Sequence, residues 1–350
     1  MSDIFTYKKI YKAYLFCRQN KRKTESALNF ELNLEKNLKE LLEEIIKGYY
    51  MPRKSICFVV TAPKPREIFA ADFRDRIVHH LMVREVEDFF EKRFIFDSYA
   101  CRKNKGTHRA VARLYYFLKK RENQKAWFLK LDIKSFFISI EHQILYDIIE
   151  KKIKKMKLSP SESEALLKLI KVIIFHNPTN NYIIKGQQKL FDLIPRHKSL
   201  LNQKDGKGLP IGNHSSQFFA NVYMNELDQY IKRVLKCQQY IRYVDDFILI
   251  SQDRADLPRW KRQIESFLKK ELKLDLSESK TIIQPVKRGI DFLGYFVRTD
   301  AIYPRRKLLK KYRDKMYKIA IGLHETEWIY LKSMHASYCG HFNFKGKFLA

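Results

Sequence analysis

Two adjacent aspartates stand within the stretch Tyr240–Ser251, which reads Y-I-R-Y-V-D-D-F-I-L-I-S. The runs Tyr240–Val244 and Phe247–Ile250 are apolar and β-prone, so each predicts a strand, with Asp245 and Asp246 at the turn of a hairpin. Adjacent carboxylates repel each other, and a bound cation relieves that repulsion. Oxygen-rich carboxylate sites suit Mg²⁺ or Mn²⁺. Taken alone, the pair fits a solvated acidic hairpin tip at least as well.

A third carboxylate, Asp132, lies near the end of the apolar run Trp127–Ile133, which predicts a buried strand. A lone buried carboxylate is unfavourable unless it is paired or metal-bound. Three aspartates at two neighbouring strand ends are able to hold two divalent ions roughly 4 Å apart, as two-metal polymerases and nucleases do. Such ions lower the pKa of an attacking 3′-hydroxyl and stabilise the charge that develops in phosphoryl transfer.

The segment Tyr243–Asp246 resembles the Y-x-D-D box of reverse transcriptases, and Asp132 with Phe136-Phe137 resembles the palm motif that precedes this box. The resemblance continues in the family's order from about Arg66 to Tyr295. It implies an α+β right-hand polymerase with fingers, a palm on a small antiparallel sheet and a short helical thumb. It also implies RNA-templated DNA synthesis from dNTPs.

The resemblance assigns metal binding to Asp132, Asp245, Asp246 and the backbone carbonyl of Ile133. Mg²⁺ is the expected cofactor, with Mn²⁺ as an alternative. Lys280 falls where related polymerases place a lysine near the leaving pyrophosphate. There it would act as a general acid, and an exposed strand lysine is the alternative interpretation.

A strand at Ile56–Thr61, a proline-containing turn and a second strand at Glu67–Ala70 predict a finger-like ribbon. Lys64 lies on the turn and Arg66 just past it. In the family the corresponding arginine clamps the triphosphate of the incoming nucleotide. Arginine suits such a bidentate phosphate contact. An exposed basic turn is the alternative interpretation.

Phe137 stands five residues after Asp132, where the family carries a bulky ring beneath the incoming sugar. A ring at that place would clash with a ribose 2′-hydroxyl and select dNTPs. The alternative is a core phenylalanine in a row of apolar residues.

The loop that starts at Gly208 reads G-L-P-I-G-N-H-S-S-Q. Most reverse transcriptases carry a glutamine before the second glycine of this loop and a proline after the serine. Here Ile211 precedes Gly212, and Gln217 follows the serines. The pattern I-G-x-x-x-S-Q is similar to the signature of diversity-generating retroelement enzymes. Since Ile211 cannot supply a glutamine's hydrogen bonds, we expect looser nucleotide discrimination, and the family implies errors mainly at template adenines.

The chain carries 69 Lys and Arg against 39 Asp and Glu, a net charge of +30. This excess indicates a polyanionic partner, most simply nucleic acid. The 14% of aromatic residues fits stacking on bases above a gripped backbone. The expected partners are therefore template RNA, a primer or cDNA, and dNTPs. The family implies in addition a small basic accessory protein.

The order of motifs predicts a helical extension, fingers, palm and thumb. The respective ranges are 1–50, 51–125, 126–300 with a finger-like excursion at about 150–207, and 301–350. Within them we expect Ser215 or Ser216 to cap a helix, a strand at Leu274–Ile283, and a strand pair at Gly289–Val297 that resembles the primer grip.

Five scattered cysteines without a C-x-x-C pair indicate reduced core thiols. No apolar run approaches the roughly 20 residues that span a bilayer, and the first residues lack a signal-peptide pattern. We therefore expect a cytoplasmic protein, encoded by a bacterium or phage, without a membrane partner.

The sequence thus predicts the RNA-directed DNA polymerase of a diversity-generating retroelement, which copies a template-repeat RNA with adenine-directed errors. Three alternatives stay open. They are another bacterial reverse transcriptase of the retron, group II intron or defence-associated kind, an enzyme that adds nucleotides without a template, and a non-catalytic RNA-binding scaffold. The intact aspartate triad argues against the scaffold, which would not need it.

Overall fold

The computed structural model of the chain describes residues 4–19, 24–123, 125–321 and 328–344. The helices are α1 (Tyr7–Arg18), α2 (Glu25–Glu31), α3 (Leu34–Lys47), α4 (Phe73–Glu91), α5 (Thr107–Lys119), α6 (Phe136–Ser139), α7 (His142–Ile153), α8 (Pro160–Phe175), α9 (His214–Arg233), α10 (Asp256–Phe267), α11 (Arg306–Ala320) and α12 (Trp328–Phe342). The strands are β1 (Ser55–Val60), β2 (Arg66–Ala70), β3 (Trp127–Asp132), β4 (Tyr182–Ile184), β5 (Gln239–Tyr243), β6 (Asp246–Ser251), β7 (Ile282–Pro285), β8 (Ile290–Phe292), β9 (Tyr295–Val297) and β10 (Ile302–Pro304). Helices alternate with small, mostly antiparallel sheets, which confirms the predicted α+β class.

The chain forms two compact units, each assembled from separate stretches. The first unit comprises Met1–Phe94, Ile133–Asp228 and Ser266–Asp275. The second unit comprises Ile95–Asp132, Gln229–Glu265 and Leu276–Ala350.

The first unit contains a sheet in the order β2-β1-β4. β1 and β2 form the predicted antiparallel hairpin, and β4 adds to β1 in parallel, with Ser55 opposite Tyr182. β4 belongs to the polar stretch 177–207, in which the other regular elements are short 3₁₀ turns. Buried Glu67 of β2 holds this stretch against the sheet, because it accepts hydrogen bonds from Ser199 Oγ at 2.7 Å and from the amide of Leu200.

Several helices of the first unit begin or end where their sequences indicate. α3 stops at Gly48, whose φ of 76° is a left-handed conformation that glycine adopts without strain. Asp72 caps α4 by accepting from the amide of Arg74. Ser159 and Glu162 form a reciprocal capping box at the start of α8. The prediction that Ser215 or Ser216 caps α9 is wrong, because α9 already begins at His214.

The second unit is built on an antiparallel sheet in the order β5-β6-β3-β7. β3 is paired on both edges, and its side chains Phe128, Leu129 and Leu131 are buried. A hydrophobic cluster joins this sheet to α5 and to a second antiparallel sheet in the order β10-β9-β8. The central strand is therefore held rigidly from several sides.

The predicted strand pair at Gly289–Val297 is confirmed as β8 and β9. The predicted strand at Leu274–Ile283 is mostly wrong, because only Ile282–Pro285 is a strand and Glu278–Lys280 forms a 3₁₀ turn. Lys280 therefore lies on a turn beside the sheet.

All five cysteines are free thiols. Cys101 is exposed, so the prediction of core positions does not hold for it, whereas Cys17, Cys57 and Cys237 are buried. Within the described ranges, no helix combines the length and apolarity needed to cross a bilayer.

Candidate active site

Three carboxylates lie together at one end of the central sheet of the second unit. β3 and β6 pair so that Asp132, the last residue of β3, faces Asp246, the first residue of β6. Tyr243 pairs with Asp246, so the two-residue turn consists of Val244 and Asp245. The prediction that both adjacent aspartates occupy the turn is therefore wrong by one residue.

Hydrogen bonds from nearby residues hold the turn that carries Asp245 in place. Val244 has a φ of 58°, a left-handed conformation that a β-branched residue rarely adopts. Such a conformation costs roughly 1–3 kcal/mol and persists only where the surroundings impose it. Fully buried Arg242 donates to the carbonyl of Val244 at 3.0 Å, and Thr107 Oγ1 donates to the Tyr243 hydroxyl at 3.2 Å. These contacts fix the direction of the turn.

Two ammonium groups accompany the three carboxylates. Lys280 Nζ lies 2.6 Å from Asp132 Oδ1, and Lys130 Nζ lies 3.1 Å from Asp246 Oδ2. The other oxygen of Asp246, Oδ1, is buried and has no hydrogen-bond partner among the residues that the structure describes. A buried carboxylate oxygen without a partner is unfavourable, so this oxygen suits a ligand.

Burial raises the pKa of Asp245 to about 6, and the nearby charge of Asp132 adds to the effect. Burial also raises the pKa of Asp246, opposed by the ammonium group of Lys130. Burial is the largest cause of both shifts, so an ionised carboxylate is unfavourable here and the lysines compensate it only in part. A divalent cation would compensate the rest.

The donor set fits a hard divalent cation, because carboxylate oxygens are the ligands that Mg²⁺ and Mn²⁺ prefer. Among the residues that the structure describes, however, no three His, Cys, Asp or Glu side chains are grouped closely enough to surround a metal ion. Instead, two ammonium groups each pair with one carboxylate oxygen of the cluster.

The residues predicted to clamp the triphosphate lie in the first unit. Arg66 begins β2 opposite Val60, and Lys64 precedes it on the connecting turn. Both side chains are exposed and hence accessible to an anionic ligand.

The loop that starts at Gly208 and carries Ile211 and Gly212, here called the nucleotide loop, lies against β2. The amide of Phe69 donates to the carbonyl of Ile211 at 3.0 Å. Gly212 has a φ of 125°, and a Cβ there would lie 2.7 Å from Ile68 Cγ2 and 3.3 Å from the Phe69 carbonyl. Only glycine fits that position. Ile211 is half-buried, while Gly212 and Gln217 are exposed.

Phe137 belongs to the short helix α6, and its ring is half-buried against Phe136 at a centroid distance of 5.4 Å. Its carbonyl accepts from the amide of Leu209 at 2.8 Å. Within the first unit, backbone hydrogen bonds thus join α6, which carries Phe137, to the nucleotide loop, which carries Ile211, and join that loop to β2. Within the second unit the structure brings the three aspartates together.

A cavity of about 830 Å³ in the second unit is lined by residues of α5 and α12 and by the turn before α5. Its lining combines Lys105 and Arg109 with Tyr338 and His341. Cationic and aromatic groups in one cavity are a combination that binds single-stranded nucleic acid.

Sequence reasoning missed two residues of the site. Lys130 stands two positions before Asp132 in a predicted strand, and alternation places both side chains on one face of the sheet. The spacing of two residues between Lys130 and Asp132 could therefore have identified Lys130 from the sequence. Arg242 interrupts the apolar run before the turn, but nothing in the sequence shows that its guanidinium group reaches the Val244 carbonyl.

Comparison with known proteins agrees with this geometry. Residues 54–297 match the family described as "Reverse transcriptase (RNA-dependent DNA polymerase)", which is more than half of the chain. The group II intron-encoded protein LtrA of Lactococcus lactis subsp. cremoris is 25% identical, over 72% of this chain and 48% of LtrA. Protein YkfC of Escherichia coli K12 is 24% identical, over 72% of this chain and 68% of YkfC. The chain thus spans about half the length of LtrA.

Among solved structures, that of apo telomerase from Candida tropicalis, truncated from its C-terminal domain, is similar with a TM-score of 0.51. The identity is 13%, and the match covers 76% of this chain and 59% of that one. The fold is that of a right-hand polymerase. The chain belongs to the reverse transcriptase family, and the prediction of an RNA-directed DNA polymerase domain is confirmed.

Proposed function

We propose that this protein extends a DNA strand along an RNA template with the help of divalent cations. The observation that carries the proposal is the cluster of Asp132, Asp245 and Asp246 at the end of the second unit's central sheet. Membership of the reverse transcriptase family supports the same reaction.

Asp132, Asp245, Asp246 and the backbone carbonyl of Ile133 would hold Mg²⁺ or Mn²⁺. The bound cations would lower the pKa of the primer 3′-hydroxyl and offset charge on the transferring phosphoryl group. The unpartnered Oδ1 of Asp246 is the oxygen most ready to accept a cation. Lys280, 52% exposed and paired with Asp132, is free to turn towards solvent and to protonate the leaving pyrophosphate.

Nucleotide binding is proposed for the first unit. Arg66, assisted by Lys64, would grip the triphosphate, and the ring of Phe137 would exclude a 2′-hydroxyl. The loop with Ile211 and Gly212 and the start of α9 at Gln217 would contact the base pair that forms. The hydrogen bonds from this loop to β2 and to α6 support a common task for these residues.

The binding partners proposed are template RNA, primer or cDNA, and dNTPs. The net charge of +30 and the cationic, aromatic cavity of the second unit support nucleic acid. The division into an N-terminal extension at 1–50, fingers at 51–125, palm at 126–300 and thumb at 301–350 stays a proposal, as does cytoplasmic action.

Two subtypes are candidates for the biological role. The similarity to LtrA favours an enzyme of the group II intron type. The pattern at Ile211, Gly212 and Gln217 favours a diversity-generating retroelement, with a template-repeat RNA and a small basic accessory protein as partners. The half-buried Ile211, whose side chain offers no hydrogen bond to a base, is the feature that supports the error-prone subtype.

Copying a defined RNA template and sequencing the products tests both levels of the proposal. Template-dependent cDNA establishes the polymerase, and products independent of template sequence reject it. Errors concentrated at template adenines, which fall in an Ile211→Gln variant, support the diversity-generating subtype. Accurate cDNA rejects the diversity-generating subtype and leaves the group II intron type, whereas an error spectrum unchanged in that variant rejects the role of Ile211.

A further inference from the structure

Lys130 lies on the central strand β3 with its side chain only 13% exposed. Lysine is rarely buried without a partner, and this one has two. Its ammonium group donates to the carbonyl of Asp291 in β8 at 2.7 Å and lies 3.1 Å from Asp246 Oδ2. The ring of Phe292 lies beneath the ammonium group at 5.8 Å. Lys130 is therefore anchored at a second point that is independent of the aspartates.

The other ammonium group at the site differs in this respect. Lys280 is 52% exposed, and its hydrogen bond to Asp132 is the one that ties it to the cluster. A half-exposed lysine gains little from such a pair and leaves it easily. A buried lysine that is held by a backbone carbonyl stays in place. Lys130 is thus a fixed charge at the site, whereas Lys280 is a displaceable one.

The two oxygens of Asp246 consequently have different surroundings. Oδ2 is occupied by Lys130, while Oδ1 is buried without a partner. The contact with Lys130 restricts rotation of this carboxylate and leaves Oδ1 as the oxygen better placed to bind an ion.

We propose that Lys130 is a positioning residue for Asp246. By holding Oδ2 it makes Oδ1 the single oxygen that Asp246 presents to a divalent cation. It also connects the end of the central sheet to β8, so that the orientation of Asp246 follows the position of that strand. The inference rests on the proposed polymerase function, because it concerns the same carboxylates.

Lys130→Gln keeps a donor for the Asp291 carbonyl without the charge, and Lys130→Met removes both. Each variant would be compared with Lys287→Met, a change at an exposed lysine of the same unit. The measurements are kcat and KM for dNTP in RNA-templated extension, the Kd for Mn²⁺ by electron paramagnetic resonance without nucleotide, and the Tm.

For Lys130→Gln we expect kcat to fall roughly 10- to 100-fold, as when an outer partner of a metal ligand is removed. KM for dNTP and the Tm should change little. Mn²⁺ should bind with equal or up to roughly tenfold higher affinity, because one repelling charge is lost and both oxygens become available. Lys287→Met should behave as the unmodified protein.

A folded Lys130→Gln variant with unchanged kcat overturns the proposal, and so does a joint loss of kcat and Mn²⁺ affinity. Loss of folding in both variants also overturns it, since Lys130 would then serve stability. If the unmodified protein makes no cDNA, the proposed function itself is rejected. That outcome differs from an active protein whose kcat does not depend on Lys130.

Discussion

Replacing Asp245 by asparagine is expected to stabilise the cation-free protein while it abolishes polymerisation. The carboxylate is partly buried beside Asp132 and Asp246, so its negative charge is unfavourable unless a cation is bound. Asparagine has nearly the same shape and carries no charge. The variant therefore removes the repulsion and the metal ligand in one step.

The size of the effect follows from the pKa of Asp245, which is raised from 3.8 to about 6. A shift of this size corresponds to about 3 kcal/mol at neutral pH, and partial exposure to solvent reduces it to about 1–2 kcal/mol. Because the folded-state pKa is the higher one, the folded protein holds the proton more tightly. The resulting stability is present below pH 3.8 and is lost as the pH rises through about 6.

The assay is urea denaturation in EDTA between pH 4 and 8, for the protein and for Asp245→Asn. The advantage of the variant should be small near pH 4, grow towards pH 6 and level off above it. Exposed Asp192→Asn is the matched control and should show no such trend. Added Mg²⁺ should stabilise the unmodified protein and not the variant. Equal stabilities in EDTA, or equal responses to Mg²⁺, would refute the reasoning.

Other substitutions test the remaining parts of the site. Gly212→Ala should destabilise the protein by about 2 kcal/mol or more in urea denaturation, since a Cβ meets both Ile68 and a backbone carbonyl. Gly206→Ala is the control, because Gly206 also has a positive φ but a Cβ there meets open space, so the loss of stability should be clearly smaller. Equal losses of stability in the two variants would contradict this account. Lys280→Met should lower kcat about 100-fold or more while stability changes by less than about 1 kcal/mol; an unchanged kcat would exclude it as the acid. Phe137→Ala should reduce the preference for dNTPs over rNTPs, measured as the ratio of kcat/KM values, on the order of 10- to 100-fold; an unaltered ratio would make the ring a packing residue.

Much of the fold could be predicted because its signals are local. The apolar runs around Asp132 and Asp245 specify strands, and the proline turn before Arg66 specifies a hairpin. Gly48 specifies the end of α3. In each case a few neighbouring residues decide the conformation.

The failures arise where residue types and their order do not reveal the contacts that form. Lys280 lies on a 3₁₀ turn, although the apolar residues on either side of it favour a strand through this stretch. β4 forms within the stretch 177–207 because it pairs with the edge of β1 that β2 does not occupy. Val244 takes a left-handed conformation that its own side chain opposes, with Arg242 donating to its carbonyl. The pairing of β4 with β1 is not encoded within a short window of sequence. The contact between Arg242 and Val244 is local, but no pattern of residue types predicts it.

The central claim is that the aspartate cluster catalyses RNA-templated DNA synthesis. The most direct test is primer extension on an RNA template with dNTPs and Mg²⁺, comparing the protein with Asp132→Asn and Asp246→Asn, each verified as folded. We predict templated cDNA from the unmodified protein and none from either variant. Templated cDNA that persists in a folded variant, or its absence from the unmodified protein with both Mg²⁺ and Mn²⁺, would contradict the claim.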